Sequence, residues 1–418
     1  MTSYIERTVD PVLRRLFASL PVLSITGPRA CGKTTTAMRL VPTVIRLDNS
    51  RVAQSFRDDP DAALRLIDEP AVLDEWQEVD GLLGAVKRAV DQDSRPGRFI
   101  LTGSVTAENR VATWPATGRV VDVPMEGFTV QEVLGRPYGT SLADRLLKPS
   151  VESFVGAEPL SSALDLGDYL GLALRGTLPS AVLIDDPMAR TAWLRGYLDN
   201  VIRRDIPQEA GGIDPARLGV YIEALATTSA EVVEDKTLYD SAGIAKATAR
   251  AYDHLLSRAF ISHVVPAWSS NRLKRLVQRP KRYLLDASLV AAALGADLRE
   301  ILLDAPLLGR VMETFVAGQV RAALGAGQRP ARLFHLRTEA GRHEVDIVVA
   351  FPGGKVAGIE VKSTGRVSSG DARHLEWMRD GLGDRFTAGV VLHTGPAPSA
   401  ISDRVFAAPI STLWAPAS

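Results

Sequence analysis

A glycine-rich loop near the N-terminus constrains the fold of this chain more than any other feature. The apolar run at 22–26 predicts a buried strand, the sequence GPRACGKT follows at 27–34, and residues 34–40 predict a helix. This order of strand, glycine loop and helix is the context that a phosphate-binding loop requires. The glycines let backbone N–H groups close around phosphates, and the helix N-terminus adds partial positive charge. The sequence therefore predicts a nucleotide site.

Individual residues of this loop have expected roles. Lys33 is expected to reach the β- and γ-phosphates of ATP, and Thr34 is expected to bind Mg²⁺. The residues expected to contact the nucleotide are Gly27, Pro28, Arg29, Ala30, Cys31, Gly32, Lys33, Thr34 and Thr35. The alternative is an ordinary glycine-rich turn, which the flanking strand and helix patterns disfavour.

Two adjacent acids end a short apolar run at 71–75. Together with the loop they predict that Asp74 holds Mg²⁺ through water and that Glu75 polarises the attacking water. Taken alone, the pair could instead mark a helix start.

A second strand-like run at 98–104 ends in the hydroxyls of Thr102 and Ser104, which are suited to sensing the γ-phosphate; an ordinary strand terminus would show the same pattern. Arg110 and Arg119 follow this strand. Either could stabilise γ-phosphate charge in its own subunit or in a neighbour's, and the alternative for each is a surface arginine.

Length and composition limit the class of protein. A chain of 418 residues exceeds one hydrophobic core, so several domains are expected. The formal net charge of +0 gives no whole-molecule field for nucleic acid. A single cysteine, Cys31, excludes a disulfide framework. No apolar run approaches the ~20 residues of a membrane span, and the charged N-terminal segment lacks the apolar core of a signal peptide. We therefore expect a cytoplasmic protein with no membrane partner.

The middle of the chain contains a local concentration of basic residues. Residues 241–282 hold nine Lys or Arg and one acid, Asp253. Helical patterns with a turn at Gly243, followed by two strand-like runs around a basic segment, predict a winged helix that contacts DNA or RNA. The predicted contacts are Lys246, Arg250, Arg272, Lys274, Arg275, Arg279, Lys281 and Arg282. The alternatives are a protein-binding module and pairing of these arginines with acidic neighbours.

The stretch EVDIVVAFPGGKVAGIEVKST at 344–364 predicts a β-hairpin with charged groups inside apolar strands. A three-residue loop centred on Gly353 pairs Asp346 with Glu360 and brings Lys362 alongside. Alternation places the apolar residues on one buried face and these three on the other. Two close carboxylates with an ammonium suit Mg²⁺ and an attacking water, and Glu313 on a preceding helix would complete the site. The alternative is a solvated hairpin face.

The motifs together resemble a known family. The loop, RLDNS (46–50), VLDEWQEV (72–79), RFILTGS (98–104) and TGRVVDVPMEGFTVQEV (117–133) resemble the AAA+-like ATPases of bacteria and archaea that carry an uncharacterised conserved C-terminal domain. Looser matches follow at RRDIP (203–207), PKRYLLDASLVAAALG (280–295) and METFVAGQV (312–320). The spacing Asp346-x₁₃-Glu360-x-Lys362 resembles the PD-(D/E)XK nuclease superfamily, with Val345 at the proline position. The resemblance implies an ATPase, a helical lid, a winged helix and a nuclease-like domain, and it favours a homo-oligomer.

The expected fold class is α/β, with four parts. These are an AAA+-like P-loop NTPase domain with a parallel sheet at 1–140, a helical connector at 141–212, a winged helix at 213–298 and a restriction-endonuclease-like α/β domain at 299–418. The expected function is an ATPase using ATP and Mg²⁺ that binds DNA or RNA and has Mg²⁺-dependent nuclease activity. One alternative is a regulatory ATPase whose nuclease-like domain is inert and binds partner proteins. Another is an oligomeric motor that moves nucleic acid without cutting it.

Overall fold

A computed structural model describes residues 4–103, 118–136, 139–154, 164–207, 212–269, 279–327, 329–338 and 341–414. The chain divides into two compact units. The first comprises residues 1–128 with the short segment 258–260, and the second comprises residues 129–257 with 261–418. Among the helices of these described ranges, none is long and apolar enough to cross a membrane.

The first unit is built on a five-stranded parallel sheet, as predicted. Its strands are β1 (Val22–Thr26), β2 (Thr43–Arg46), β3 (Ala71–Asp74), β4 (Phe99–Gly103) and β5 (Val120–Pro124). They lie in the order β2-β3-β4-β1-β5, and every neighbouring pair is parallel. All residues of β1, β3 and β4 are buried, which explains why these strands are continuous apolar runs.

One helix precedes this sheet and four others connect its first four strands. They are α1 (Asp10–Phe17), α2 (Lys33–Leu40), α3 (Ser50–Asp58), α4 (Pro60–Arg65) and α5 (Leu82–Gln92). A hydrophobic core joins α5 to the sheet through Leu83 and Val86, which pack in one cluster with Leu73, Phe99 and Leu101. Because parallel strands place their carboxyl ends at one edge, the ends of β1, β3 and β4 lie together at the edge where the glycine loop begins.

The second unit begins with helices. They are α6 (Val130–Val133), α7 (Leu142–Leu147), α8 (Leu166–Arg175), α9 (Pro179–Val182) and α10 (Pro187–Asn200), which continues as a π-helical turn at Val201–Asp205. The first two are fixed within this unit by long-range bonds: Val130 N–H donates to Gln319 Oε1 at 2.9 Å, and Arg145 Nη1 donates to the Thr412 carbonyl at 2.7 Å. The boundary between the units therefore lies at 128, before the predicted end of the ATPase domain at 140.

A helical segment followed by a two-stranded antiparallel sheet occupies the region predicted as a winged helix. Its elements are α11 (Pro215–Thr227), α12 (Asp235–Ser241), α13 (Lys246–Arg258), β6 (Ser262–Val265) and β7 (Lys281–Leu284). Three more helices follow, α14 (Ala287–Leu294), α15 (Leu298–Leu303) and α16 (Ala305–Gly325). The order of three helices and a hairpin is the expected one, and the winged-helix assignment stays a prediction.

The C-terminal region is a six-stranded mixed sheet. Its strands are β8 (Arg332–Arg337), β9 (Glu344–Ala350), β10 (Val356–Val361), β11 (Phe386–His393), β12 (Ser399–Ser402) and β13 (Val405–Pro409), and α17 (Arg373–Leu382) precedes β11. The order is β12-β13-β11-β10-β9-β8. The strands β10, β11 and β13 are parallel, and β8, β9 and β12 run antiparallel to their neighbours.

The register of the β9–β10 hairpin is the predicted one. Gly353 lies at the turn with a φ of 76°, and Phe351 N–H donates to the Lys355 carbonyl at 2.9 Å. The ladder pairs Ala350 with Val356 and Ile347 with Ile359, so the same register brings Asp346 opposite Glu360.

The alternative to the predicted metal site, a solvated hairpin face, is wrong. Val348 and Gly358 are buried, and α17 covers them. A Cβ built on Gly358 would lie 2.6 Å from Leu375 Cδ2, so the helix approaches the strand too closely for a side chain there. The helix α16 also contacts β10. The acids of the hairpin therefore lie in a sheet that helices cover, which sequence alternation could not show.

Candidate functional site

The glycine loop and the first turn of α2 form the predicted nucleotide site. Gly32 is the N-cap of α2 and adopts a left-handed conformation with a φ of 97°, and Ala30 has a φ of 62°. The N-cap glycine has no side chain that could cap the first amides, so these N–H groups are available to a phosphate. Lys33 Nζ donates to the carbonyls of Gly27 and Pro28 at 3.0 and 2.8 Å, which holds the ammonium inside the loop.

The loop is packed against the turn that follows β5. A Cβ built on Gly27 would lie 2.1 Å from the Met125 carbonyl oxygen, so only glycine allows this approach. Arg7 is buried and donates to the carbonyls of Cys31 at 2.9 Å and of Glu126 at 2.7 Å. Sequence reasoning missed Arg7 because nothing in its local pattern distinguishes it from a surface arginine.

The end of β3 brings the predicted magnesium ligands together. Thr34 Oγ1 and Thr102 Oγ1 each donate to Asp74 Oδ1 at 2.6 Å. Asp74 is buried, with 5% of its surface exposed. Hydroxyl and carboxylate oxygens are hard ligands that suit Mg²⁺, so this donor set fits the ion. Ser104 and Arg110, the other residues predicted near the γ-phosphate, lie outside the described residues.

Glu75 directly follows Asp74 and is held in an unusual conformation. Its φ of 53° is left-handed, and it begins a 3₁₀ turn at Trp76–Glu78. Gln77 Nε2 donates to Glu75 Oε2, which fixes the orientation of the carboxylate. A Cβ built on Gly103 would lie 2.4 Å from Gln77 Oε1, so the glycine at the end of β4 leaves room for this amide.

Arg119 lies away from its own glycine loop. It directly precedes Val120, which pairs with Val22 at the start of β1, whereas the loop follows Thr26 at the other end of that strand. Four residues of strand separate the two ends by about 13 Å. Arg119 Nε instead lies 2.5 Å from Asp91 Oδ1. The prediction that Arg119 acts on a phosphate in its own subunit is therefore corrected.

The predicted nucleic-acid contacts have different surroundings. Arg279 is exposed and pairs with Glu234 at 2.6 Å, and Arg282 is largely buried and pairs with Asp235 and Asp253 at 2.8 and 3.1 Å. Lys246 and Arg250 lie exposed on α13, and Arg272, Lys274 and Arg275 lie outside the described residues. Nucleic-acid binding by this region stays a prediction from sequence.

Lys281 requires a correction. Its side chain is 1% exposed, so it cannot contact nucleic acid as predicted. Its Nζ lies 2.8 Å from Glu313 Oε1, 3.4 Å from Asp346 Oδ1 and 3.5 Å from Glu344 Oε1. The ammonium thus contacts two of the three carboxylates that were predicted to bind a metal, Glu313 and Asp346, and also Glu344, which was not predicted. We call Glu313, Glu344, Asp346 and Glu360 the carboxylate cluster.

Other bonds engage the same carboxylate oxygens. Tyr283 Oη donates to Glu313 Oε1 at 2.7 Å, and Tyr283 shares a face of β7 with Lys281 because the two are separated by one residue. Asp346 Oδ2 accepts from Val361 N–H at 2.9 Å. Lys362, predicted to act on water and phosphate, has its Nζ 3.6 Å from Glu360 Oε2.

Burial and the nearby Asp346 charge raise the pKa values of two members of the carboxylate cluster, Glu313 and Glu360. Burial, followed by the Asp346 charge, raises the pKa of Glu313 to about 7, although the Lys281 ammonium opposes the shift. The same two causes raise the pKa of Glu360 well above its ordinary value. Burial would lower the pKa of Lys281, but the surrounding acids, Glu313 foremost, hold it well above its ordinary value. Lys281 is therefore a charged ammonium at neutral pH.

Two mycobacterial proteins are similar to this chain over most of its length. It is 30% identical over 407 residues to the uncharacterized protein Rv2008c of Mycobacterium tuberculosis, and equally so to the uncharacterized protein Mb2031c of Mycobacterium bovis. Each alignment covers 96% of this chain and 82% of the relative. The chain belongs to the family of these mycobacterial proteins.

Models of known protein families match three segments of this chain. A model described as an AAA domain matches residues 19–134, and two models described as domains of unknown function, DUF8612 and DUF4143, match residues 166–300 and 308–413. The chain therefore carries an AAA-type P-loop ATPase module.

Among solved structures, the Walker-type ATPase PABY2304 of Pyrococcus abyssi is 12% identical with a TM-score of 0.39, covering 70% of this chain and 96% of that one.

The three matched segments differ in what they contribute to the sites. The AAA match contains the glycine loop at 27–35 and the residues Asp74, Glu75, Gln77 and Thr102, whereas Arg7 precedes the match. The carboxylate cluster lies within the DUF4143 match, whereas Lys281 comes from the DUF8612 match. The nuclease-like and winged-helix assignments of these two segments stay predictions.

Proposed function

We propose that this protein hydrolyses ATP at the glycine loop of its first unit. The observation that carries the proposal is that the hydroxyls of Thr34 and Thr102 both donate to one oxygen of Asp74. The buried Lys33 and the hydrogen-bonded Glu75 directly adjoin these residues in the chain. A hydroxyl, a carboxylate, an ammonium and a general base within one site are the parts that phosphoryl transfer from ATP uses.

Each residue has a role in this proposal. The amides of the loop and the Lys33 ammonium bind the phosphates. Thr34 and Asp74 would hold Mg²⁺, which when bound neutralises phosphate charge. Thr102 keeps Asp74 oriented through the 2.6 Å bond. Glu75 accepts a proton from the attacking water, and Gln77 holds its carboxylate in place.

The substitution Glu75→Gln tests the assignment of the base. We expect ATP binding to be retained and turnover to fall by about 10²–10⁴-fold, because an amide cannot accept the proton. The matched control is Glu78→Gln, an exposed glutamate in the same 3₁₀ turn, which should turn over ATP as the wild type does. Undiminished hydrolysis by Glu75→Gln would place the base elsewhere.

For the second unit, the geometry favours the regulatory alternative over the nuclease. The specific observation is the Lys281 ammonium among Glu313, Asp346 and Glu344. In a hydrolytic metal site the carboxylate oxygens coordinate the metal ion, and the ion also binds the water that attacks the substrate. We therefore propose that ATP hydrolysis in the first unit regulates the second unit, and that the second unit binds partner proteins and does not cleave nucleic acid. A supercoiled plasmid incubated with the protein, ATP and Mn²⁺ tests this: nicking that Asp346→Asn abolishes would restore the nuclease proposal.

A further inference from the structure

The carboxylate cluster of the second unit contains a cation of its own. Lys281 Nζ lies within 3.5 Å of oxygens from Glu313, Asp346 and Glu344, which come from α16 and β9. Three carboxylates around one fully buried ammonium are the arrangement that a cation-binding site shows, with the cation supplied by the chain itself. The spacing of 2.8–3.5 Å suits hydrogen bonds and ion pairs of an ammonium, whereas Mg²⁺ requires oxygens at about 2.0–2.1 Å.

A divalent ion and the ammonium cannot share this place. Within the described residues, no group of three or more His, Cys, Asp or Glu side chains is arranged to hold a metal ion. Asp346 also directs Oδ2 to the Val361 amide, so both of its oxygens already have partners. The residues predicted as metal ligands, Glu313, Asp346 and Glu360, thus do not fit a metal while Lys281 is in position.

We infer that Lys281 is the resident cation of the carboxylate cluster and that it excludes divalent metal from the site. The lysine comes from β7, in the segment matched by DUF8612, and the acids come from the segment matched by DUF4143. The cluster and Lys281 therefore form an ion-pair network within the second unit that links the β6–β7 hairpin to the C-terminal sheet. The inference is independent of the ATPase proposal, because it would stand for a protein that hydrolysed no ATP.

The residues around Lys281 support this ion-pair network. Lys281 and Tyr283 alternate on β7, and both donate to the same oxygen of Glu313 at 2.8 and 2.7 Å. Both donors are nearly inaccessible to solvent. A buried charge is tolerated only when it is paired and hydrogen-bonded, and this ammonium meets both conditions.

Mn²⁺ binding to the full-length chain tests the inference. Every protein in the series carries Asp74→Asn, so that the nucleotide site does not contribute. Free Mn²⁺ is measured by electron paramagnetic resonance, and the melting temperature is measured with and without the ion. We expect no binding at the cluster at millimolar Mn²⁺ in the parent protein. Adding Lys281→Ala should create one Mn²⁺ site and make the melting temperature rise with Mn²⁺, because the ion replaces the missing ammonium.

Two further variants control this result. Lys281→Arg keeps the positive charge and should bind no Mn²⁺, and Lys281→Ala with Asp346→Asn should lose the new site. One Mn²⁺ bound by the parent and removed by Asp346→Asn would overturn the inference, as would a folded Lys281→Ala protein that binds none. If Lys281→Ala does not fold without Mn²⁺, refolding in its presence is the readout: recovery supports the resident cation. Failure to recover, with a parent that binds Mn²⁺, overturns it.

Discussion

Asp74 in the nucleotide site and Asp346 in the carboxylate cluster are both aspartates on covered β-strands, but their oxygens have different partners. Asp74 Oδ1 accepts from two threonine hydroxyls. Asp346 Oδ1 lies 3.4 Å from an ammonium, and its Oδ2 accepts from a backbone amide. Hydroxyls are neutral, so the negative charge of Asp74 remains to attract a cation. The charge of Asp346 is already met within the chain. The number of acids in a site therefore says less about metal binding than the charge that surrounds them.

The largest expected effect is the loss of the ammonium from the carboxylate cluster. Lys281→Ala leaves three partly buried carboxylates without their cation. Breaking a buried ion pair on one side costs about 3–5 kcal/mol. We expect hydrogen exchange in α16 and β9 of the full chain to become faster by a matching amount. The control is Lys355→Ala, an exposed lysine at the turn of the β9–β10 hairpin that donates to the Asp384 carbonyl. Equal effects of the two substitutions would contradict the role given to Lys281.

Hydrogen exchange is the suitable measurement because it reports on each element separately. The chain has two compact units, so one unfolding transition need not describe both. Peptides from β1 and β4 in the first unit should exchange at the wild-type rate in the Lys281→Ala protein. An equal change in the exchange of β1 and β4 would indicate general unfolding rather than loss of the ion-pair network.

The second effect is a dependence of stability on pH in the same cluster. Burial and the Asp346 charge raise the pKa of Glu313 from 4.5 to about 7. The folded state therefore binds this proton more tightly than the unfolded state, so its contribution to stability is complete below pH 4.5 and is lost as the pH rises to about 7. The size of the loss is about 3 kcal/mol for a shift of this kind.

Glu313→Gln isolates this contribution. A glutamine can still accept hydrogen bonds from Lys281 and Tyr283, but it does not titrate. Exchange protection of α16 should fall from pH 5 to pH 7 more steeply in the wild type than in Glu313→Gln. Parallel slopes for the two proteins would show that Glu313 is ionised throughout this range.

Local sequence patterns predicted the strand, loop and helix of the candidate nucleotide site well, and the carboxylate cluster only in part. The strand, loop and helix at 22–40 are contiguous, so their order carries the geometry, and the parallel sheet followed from alternation of strands and helices. The hairpin register was also predictable, because the turn at Gly353 sets it.

What local patterns could not supply is the tertiary environment. Lys281 lies in a basic segment, so its neighbours in sequence indicated nucleic acid, whereas its neighbours in space are acids from residues 313, 344 and 346. The cover that α17 gives to Gly358 also depends on packing between distant segments. One signal was available in advance: Lys281 and Tyr283 alternate on β7, which ends at Leu284 and is followed by Leu285, and this apolar context indicates an inward-facing lysine.

The third effect concerns the group that orients Glu75. In Gly103→Ala the new Cβ would lie 2.4 Å from Gln77 Oε1 and 3.1 Å from Trp76 Nε1. Gln77 is flexible at its end, so we expect the amide to move and the fold to persist. Turnover should fall by up to about 10²-fold because Glu75 loses its orientation. The control is Gly84→Ala on α5, where the nearest atom, Arg88 Nη1, is 3.4 Å away. A Gly103→Ala enzyme that hydrolyses ATP at the wild-type rate would show that the Gln77 contact does not position the base.

The smallest expected effect is at the edge of the first sheet opposite the nucleotide site. Arg119 precedes β5 and pairs with Asp91, whose pKa is lowered mainly by the hydrogen bond from this arginine. Both side chains are more than a third exposed, and exposed pairs of this kind often contribute nothing measurable to stability. Arg119→Ala should therefore leave the melting temperature and the turnover of ATP unchanged, in contrast to Glu75→Gln in the same unit. Loss of turnover in Arg119→Ala would instead require that the arginine reach a nucleotide bound to another copy of the chain, since its own loop lies at the far end of β1. Mixing Arg119→Ala with Lys33→Ala protein would then restore activity in mixed assemblies, because one copy supplies the arginine and the other supplies the intact loop.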